Sequence, residues 1–187
     1  MKWLEGLSEE VEQIYERSNE TFSKFQLDQE MPCPTGCGKC CLSKEISATV
    51  LEMLPTAIRL FKENKHEVTY DKLGNQNEVQ CIFFNPHIDN GNKGLCENYQ
   101  TRPSVCRSFG LAAVRGKAGD KKLSVCKVLK EIYPDKIMNI ALDQAPVVGE
   151  YARQIIGINP GLGAQVHPIN EALRLALQKV ILYTQFE

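Results

Sequence analysis

Residues 33–44 read CPTGCGKCCLSK. Four of the chain's eight cysteines, Cys33, Cys37, Cys40 and Cys41, fall within nine positions, and two of them are adjacent. Pro32, Pro34, Gly36 and Gly38 impose loop conformations here, because proline fixes φ and glycine frees it. A stretch with so much sulfur and so few large apolar side chains must take its order from something other than a core.

The whole chain narrows what that can be. At 187 residues, one domain is the natural expectation. We read residues 1–187 as that domain, with a cysteine-cluster region over 31–130 and a C-terminal helical region over 131–187. A chain of this length buries roughly 70% of its unfolded surface, so covalent staples are not obligatory. Lys and Arg total 22 against 23 Asp and Glu, which gives no global field for nucleic acid or for an anionic membrane. The N-terminal residues MKWLEGLSEEVEQIYERSNETFSKF lack the apolar run of an export signal. No run of about 18 apolar residues occurs. These features predict a cytoplasmic protein, in a compartment where disulfides are rare. Exposed idle thiols oxidise, which leaves metal as the partner the sulfur calls for.

Apolar residues at Leu4, Leu7, Val11, Ile14, Phe22 and Phe25 predict an amphipathic helix over about 2–26, with a gap at Ser18 and with Glu9, Glu10, Glu12, Glu16 and Glu20 on a solvated face. A second helix is expected from a Ser47 cap, kinked or divided by Pro55. Residues 66–80 read as polar turns, and VQCIFFNP as a short strand or extended segment carrying Cys81. KKLSVCKVLKEIY predicts a short helix holding Cys126, and residues 143–157 another with Pro146 in its first turn. The stripe Ile169, Leu173, Ala176, Leu177, Val180 and Ile181 predicts a final helix. The expected fold is mainly α, with helices at both termini packed around an irregular, cysteine-rich, metal-binding core.

Cys37 and Cys40 form a C-x-x-C pair whose turn, eased by Gly38, aims two thiolates at one metal. Cys33 can reach the same centre from the other side of Gly36. Adjacent side chains diverge in extended or turn backbone, so one tetrahedral zinc suits Cys40 and Cys41 together poorly, and two metals or a polynuclear cluster suit them better. Cys81, Cys96, Cys106 and Cys126 follow, each in its own local setting. Eight thiolates could serve two four-coordinate metals or one larger cluster, and such soft ligands select zinc, iron–sulfur or Cu(I). Among the nearby cations Lys39, Lys44, Arg102, Arg107 and Lys127, the two arginines are the candidates to face the thiolates, while Lys44 and Lys127 read as solvated charges.

CPTGCGKCC, then CIFF, then LCENYQTRPSVCRSFG resembles the zinc- or iron-chelating CxxCxxCC, or YkgJ-like, family over roughly residues 31–130. The resemblance implies a site built from Cys37, Cys40, Cys41, Cys81, Cys96 and Cys106, with Tyr99, Arg102, Pro103 and Arg107 as a second signature. Three residues separate Cys33 from Cys37 where the family usually has two, and Cys126 belongs to a longer-tailed variety. A flagellin lysine methylase is similar in its cysteine motif, which implies that the module can serve an enzyme.

Outside the cysteines little points to catalysis. His66 reads as a solvated loop residue and His167 as a helix-start residue. His87, six residues after Cys81, is the one histidine placed to be a ligand or a base. INPGLGAQ is neither a dinucleotide nor a phosphate loop, and a turn explains it. Three readings follow. The first is a cytosolic metal-binding protein with a structural or chelating zinc or iron site. The second is an Fe–S protein doing redox or protein-modifying chemistry on a protein partner. The third is a zinc-folded interaction module, and the near-neutral charge and absence of aromatic–basic interleaving argue against nucleic acid as its partner.

Overall fold

The apolar stripe of the first segment becomes one long helix, α1 (Lys2–Asp28), in a computed structural model that describes residues 1–75, 80–86 and 94–185. All six stripe residues are buried, and Ser18, the gap in the pattern, is buried with them. The glutamates of the opposite face are exposed. Past its end the Met31 N–H donates to the Gln26 carbonyl at 2.8 Å, and the Met31 side chain is fully buried just ahead of the cysteine loop.

The second helix starts later than a Ser47 cap predicts. Residues 47–49 form a short strand, β1 (Ser47–Thr49), and α2 (Val50–Lys62) is capped by Thr49. The Thr49 hydroxyl accepts the Glu52 N–H at 3.2 Å while the Glu52 carboxylate accepts the Thr49 N–H at 2.9 Å, a reciprocal capping box. Pro55 does not divide α2. Every residue from Val50 to Ala57 is buried, so packing on all sides outweighs the one backbone bond that proline removes.

Four further expectations are corrected. Residues expected to be turns form α3 (His66–Asn75), whose Leu73 is buried against the core. The His66 ring packs 4.5 Å from that of Phe61, with its Nδ1 buried and unpartnered. Cys81 precedes rather than occupies the strand β2 (Phe84–Pro86), which pairs antiparallel with β3 (Gly94–Cys96), Phe84 opposite Cys96. After the one-turn α4 (Ser104–Arg107), the hairpin of β4 (Leu111–Arg115) and β5 (Lys121–Val125) takes the residues expected to begin a helix. β5 alternates half-buried and exposed positions with the period of a strand, and β4 buries Leu111, Ala112 and Ala113 before its exposed end. Cys126 instead caps α5 (Lys127–Ile132), its Sγ accepting the Leu129 N–H at 3.4 Å. Pro146 lies in an extended run beside β4, where the Ala113 N–H donates to its carbonyl at 2.8 Å, and α6 starts only at Glu150 (Glu150–Ile158).

The chain closes through the one-turn α7 (Pro160–Gly163), the strand β6 (Val166–Pro168) and α8 (Ile169–Gln185). β6 pairs antiparallel with β1, His167 opposite Ala48, so His167 is a strand residue and not a helix-start residue. α2 packs between α1 and α8. Two clusters of buried side chains result: one around α1, α2 and α8, the other around Phe25, Met31, Leu111, Ala113, Leu129 and Val147. α1 contributes to both. Of the described residues 56% are helical, so the fold is mainly α. No described helix is long and apolar enough to cross a membrane.

Candidate metal centre

The cysteine loop is brought against the β2–β3 hairpin by close backbone approach. Gly36 and Gly38 have φ of 70° and 56°, in the left-handed region. A Cβ on Gly38 would stand 2.5 Å from the Gly94 carbonyl oxygen, and one on Gly94 would strike the Phe84 ring. Only glycine fits at 38, and any other residue at 94 would have to displace the Phe84 ring. The Gly94 N–H then donates to the Gly36 carbonyl at 3.2 Å, and the Cys81 N–H to the Cys41 carbonyl at 3.4 Å. These two bonds set Cys40 and Cys41 beside Cys81 and Cys96.

Cys40 and Cys41 lie in a 3₁₀ turn, Lys39–Leu42. Their side chains do not diverge as extended backbone would make them. The Cys41 thiol interacts with those of Cys40, Cys81 and Cys96, so residues from three separate segments meet at one buried sulfur. One S–H proton can point at only one acceptor at a time, so the three neighbours compete for it. Interaction with Cys41 lowers Cys40 to about 6, Cys96 to about 7 and Cys81 below the ordinary thiol value, with the Arg102 guanidinium assisting at Cys40 and Cys96. Cys41, the donor, is raised correspondingly.

Cys106 feels the charges of Cys40, Cys81 and Cys96, but burial dominates and raises its thiol. Cys33 is exposed. Desolvation raises it to about 11, and Cys37, Cys126 and Cys40 are its next strongest influences. Cys37 and Cys126 are half-buried. By their influence on one another the cysteines divide into Cys40, Cys41, Cys81 and Cys96 around Cys41, Cys106 under the charges of Cys40, Cys81 and Cys96, and Cys37 and Cys126 around exposed Cys33. Among the described residues no three His, Cys, Asp or Glu side chains stand as a group ready to hold a metal ion. His87 lies outside the described residues.

The two arginines have different surroundings. Arg102 influences Cys33, Cys40, Cys96 and Cys106. Its guanidinium carbon lies 3.7 Å from the centre of the Tyr99 ring, and its Nε is buried without a hydrogen-bond partner. Arg107 is almost wholly buried. Its Nε donates to the Arg102 carbonyl at 2.8 Å, its Nη2 donates to the Gln100 carbonyl, and its plane lies 4.1 Å over the Tyr15 ring. Burial pushes it down to about 10. The charge of Cys106 also bears on Arg107, while its Nε and Nη2 are taken by backbone carbonyls. Arg107 spends its donors on the backbone that carries Arg102, because two carbonyls turn inward there and need partners. Lys44 and Lys127 are exposed, and Lys127 pairs at 4.0 Å with exposed Glu131.

Sequence reasoning passed over Glu52 and Tyr15. Glu52 is buried, and its carboxylate accepts the Ser104 N–H at 3.2 Å together with the Ser104 hydroxyl. The Tyr15 hydroxyl donates to the Glu52 carbonyl at 2.6 Å. The T-x-x-E spacing of Thr49 and Glu52 was the available signal for the first. Nothing local marks Tyr15, since its partners lie 37 and 92 positions away.

No curated protein and no solved structure matches the chain. One family model does, the CxxCxxCC family, described as "Putative zinc- or iron-chelating domain", over residues 32–128. That span holds all eight cysteines and both arginines. It covers more than half of the chain, and the chain belongs to the CxxCxxCC family.

Proposed function

We propose that this protein binds zinc or iron through cysteine thiolates, with Cys40, Cys41, Cys81 and Cys96 as the inner ligands. Cys37 and Cys106 complete the set, Cys33 and Cys126 are its outer members, and a reducing, cytosolic compartment keeps them as thiols. The observation that carries the reading is the backbone geometry that sets Cys40 and Cys41 against Cys81 and Cys96, with the Cys81 N–H donating to the Cys41 carbonyl and the Gly94 N–H to the Gly36 carbonyl. Soft sulfur donors suit zinc and iron and do not suit magnesium or calcium. The buried, unpartnered Nε of Arg102 is a second support, because a fixed cation among thiols favours their ionised, metal-binding form. Loading would release the thiol protons and turn the side chains from one another toward a common ion. The bound metal would supply order to a loop with little apolar anchorage. We read the chain as one domain in which the metal is structural or held in chelation; the family's description includes iron, and an Fe–S cluster acting on a protein partner is the alternative.

The test is anaerobic purification of the parent and of Cys41→Ser, with zinc, iron and acid-labile sulfide measured per chain. The reading expects metal in the parent and most of it lost from the variant. Sulfide in proportion to iron selects the cluster, and metal without sulfide selects the chelating site. A parent without zinc or iron, or a variant holding as much as the parent, overturns the proposal.

A further inference from the structure

α2 is buried along most of its length, yet it presents a line of polar side chains at Glu52, Thr56 and Arg59. The spacing of four and then three places them on one helix face. All three are satisfied by the segment 98–104, which connects Cys96 to Cys106. Glu52 accepts from Ser104 as described. The Thr56 hydroxyl, fully buried, accepts from Asn98 Nδ2 at 2.8 Å and donates to the Thr101 carbonyl at 3.0 Å. Arg59 Nη2 donates to Asn98 Oδ1 at 2.8 Å, where the Thr101 hydroxyl also donates, at 2.6 Å. Asn98 and Ser104 are themselves buried.

A buried polar residue in an apolar helix is costly unless it is paired, and a connected, satisfied network specifies one arrangement of what it touches. Here the thing touched is a loop with no strand and one turn of helix, and it carries Arg102 at the thiols. We propose that Glu52, Thr56 and Arg59 are positioning residues for the thiolate site. They hold the Cys96–Cys106 half in its working geometry whether or not metal is present. The assignment rests on the metal-binding reading for its purpose, and on the hydrogen-bond network alone for its geometry. None of the three touches a sulfur. Their effect on the site passes through Asn98, Thr101 and Ser104.

The experiment uses the metal-free, reduced full-length chain, with the iodoacetamide alkylation rate of each cysteine followed by mass spectrometry. Thr56→Val keeps the side chain's size and removes the hydroxyl, leaving Asn98 and Thr101 short of partners. Alkylation of Cys96 and Cys106 should quicken by about tenfold, equivalent to about 1.4 kcal/mol of easier local opening. Exposed Cys33 should keep the parent rate. Thr56→Ser restores the hydroxyl and should restore the parent pattern. If Thr56→Val does not fold, Arg59→Met, at the half-exposed end of the stripe, should give a smaller acceleration at the same two cysteines. Loss of zinc from the zinc-loaded chain to a competing chelator should be quickened by Thr56→Val and left alone by Thr56→Ser. Unchanged rates at Cys96 and Cys106, equal acceleration at all cysteines, or a Thr56→Ser that behaves like Thr56→Val would overturn the proposal. A parent that retains neither zinc nor iron defeats the metal reading, while the alkylation pattern still decides the positioning role.

Discussion

Residues 33–41 and residues 96–106 are two short cysteine-bearing segments of one site, and they are held by different means. The first is folded by its own turns. Cys37, Cys41 and Ser43 donate to carbonyls three residues back, and two backbone bonds tie the loop to its neighbours at Gly36 and Cys41. The second is held by side chains of other elements, from Glu52 and Thr56 of α2 to Arg107 over Tyr15 of α1. A loop held by backbone approach depends on glycine and on its ligand. A loop held by buried side chains carries its order with it. The two halves should therefore respond differently to metal and to mutation.

Metal removal should separate them most. In the chelated protein, limited proteolysis should cut within 31–43 first, quickened by roughly a hundredfold, the ratio that about 2.7 kcal/mol of bound ligand supplies. The segment 96–107 and the helices α1 and α8 should outlast it, as mass spectrometry of the fragments would report. Equal protection of both segments after complete metal loss would erase the contrast.

Gly38→Ala attacks the first loop directly. The new methyl meets the Gly94 backbone at a φ of 56°, which together should cost about 2 kcal/mol and lower the midpoint of thermal unfolding. Gly74→Ala, with nothing within 4 Å in α3, is the matched control and should be neutral or slightly stabilising. A Gly38→Ala protein as stable as its parent would mean that the loop does not need the hairpin.

Arg107 sharpens the comparison on the other side. If charge beside sulfur were its task, Arg107→Lys would keep metal and Arg107→Gln would lose it. Its donors bridge two carbonyls, a geometry that an ammonium does not reproduce. Both variants should therefore lose about 1–2 kcal/mol of stability and release metal equally fast to a chelator. Parent-like retention by the lysine variant alone would return Arg107 to the sulfur.

What was legible in the chain follows from the range of the forces involved. α1 and α8 could be read because a periodic apolar stripe is a local record of burial, and the glycines of 33–44 because positive φ is a local steric demand. Residues 121–125 were misread because the apolar steps of a short segment fit helix and strand alike, and pairing with 111–115 decided between them. The same holds for 66–75, whose polar residues hid a helix that Leu73 anchors to the core.

The sequence by itself determined the chemistry: eight thiols, their loop, two arginines and membership of a zinc- or iron-chelating family. Side-chain type and short spacing carry that information, and neither depends on the rest of the fold. Tertiary structure alone decided which thiols lie beside Cys41, that Arg107 spends its Nε and Nη2 on backbone carbonyls, and that Glu52, Thr56 and Arg59 hold the loop between Cys96 and Cys106. Those outcomes are contacts between residues tens of positions apart. They exist only once α1, α2 and α8 have packed, because a buried polar group takes whichever partner the closed core leaves within reach.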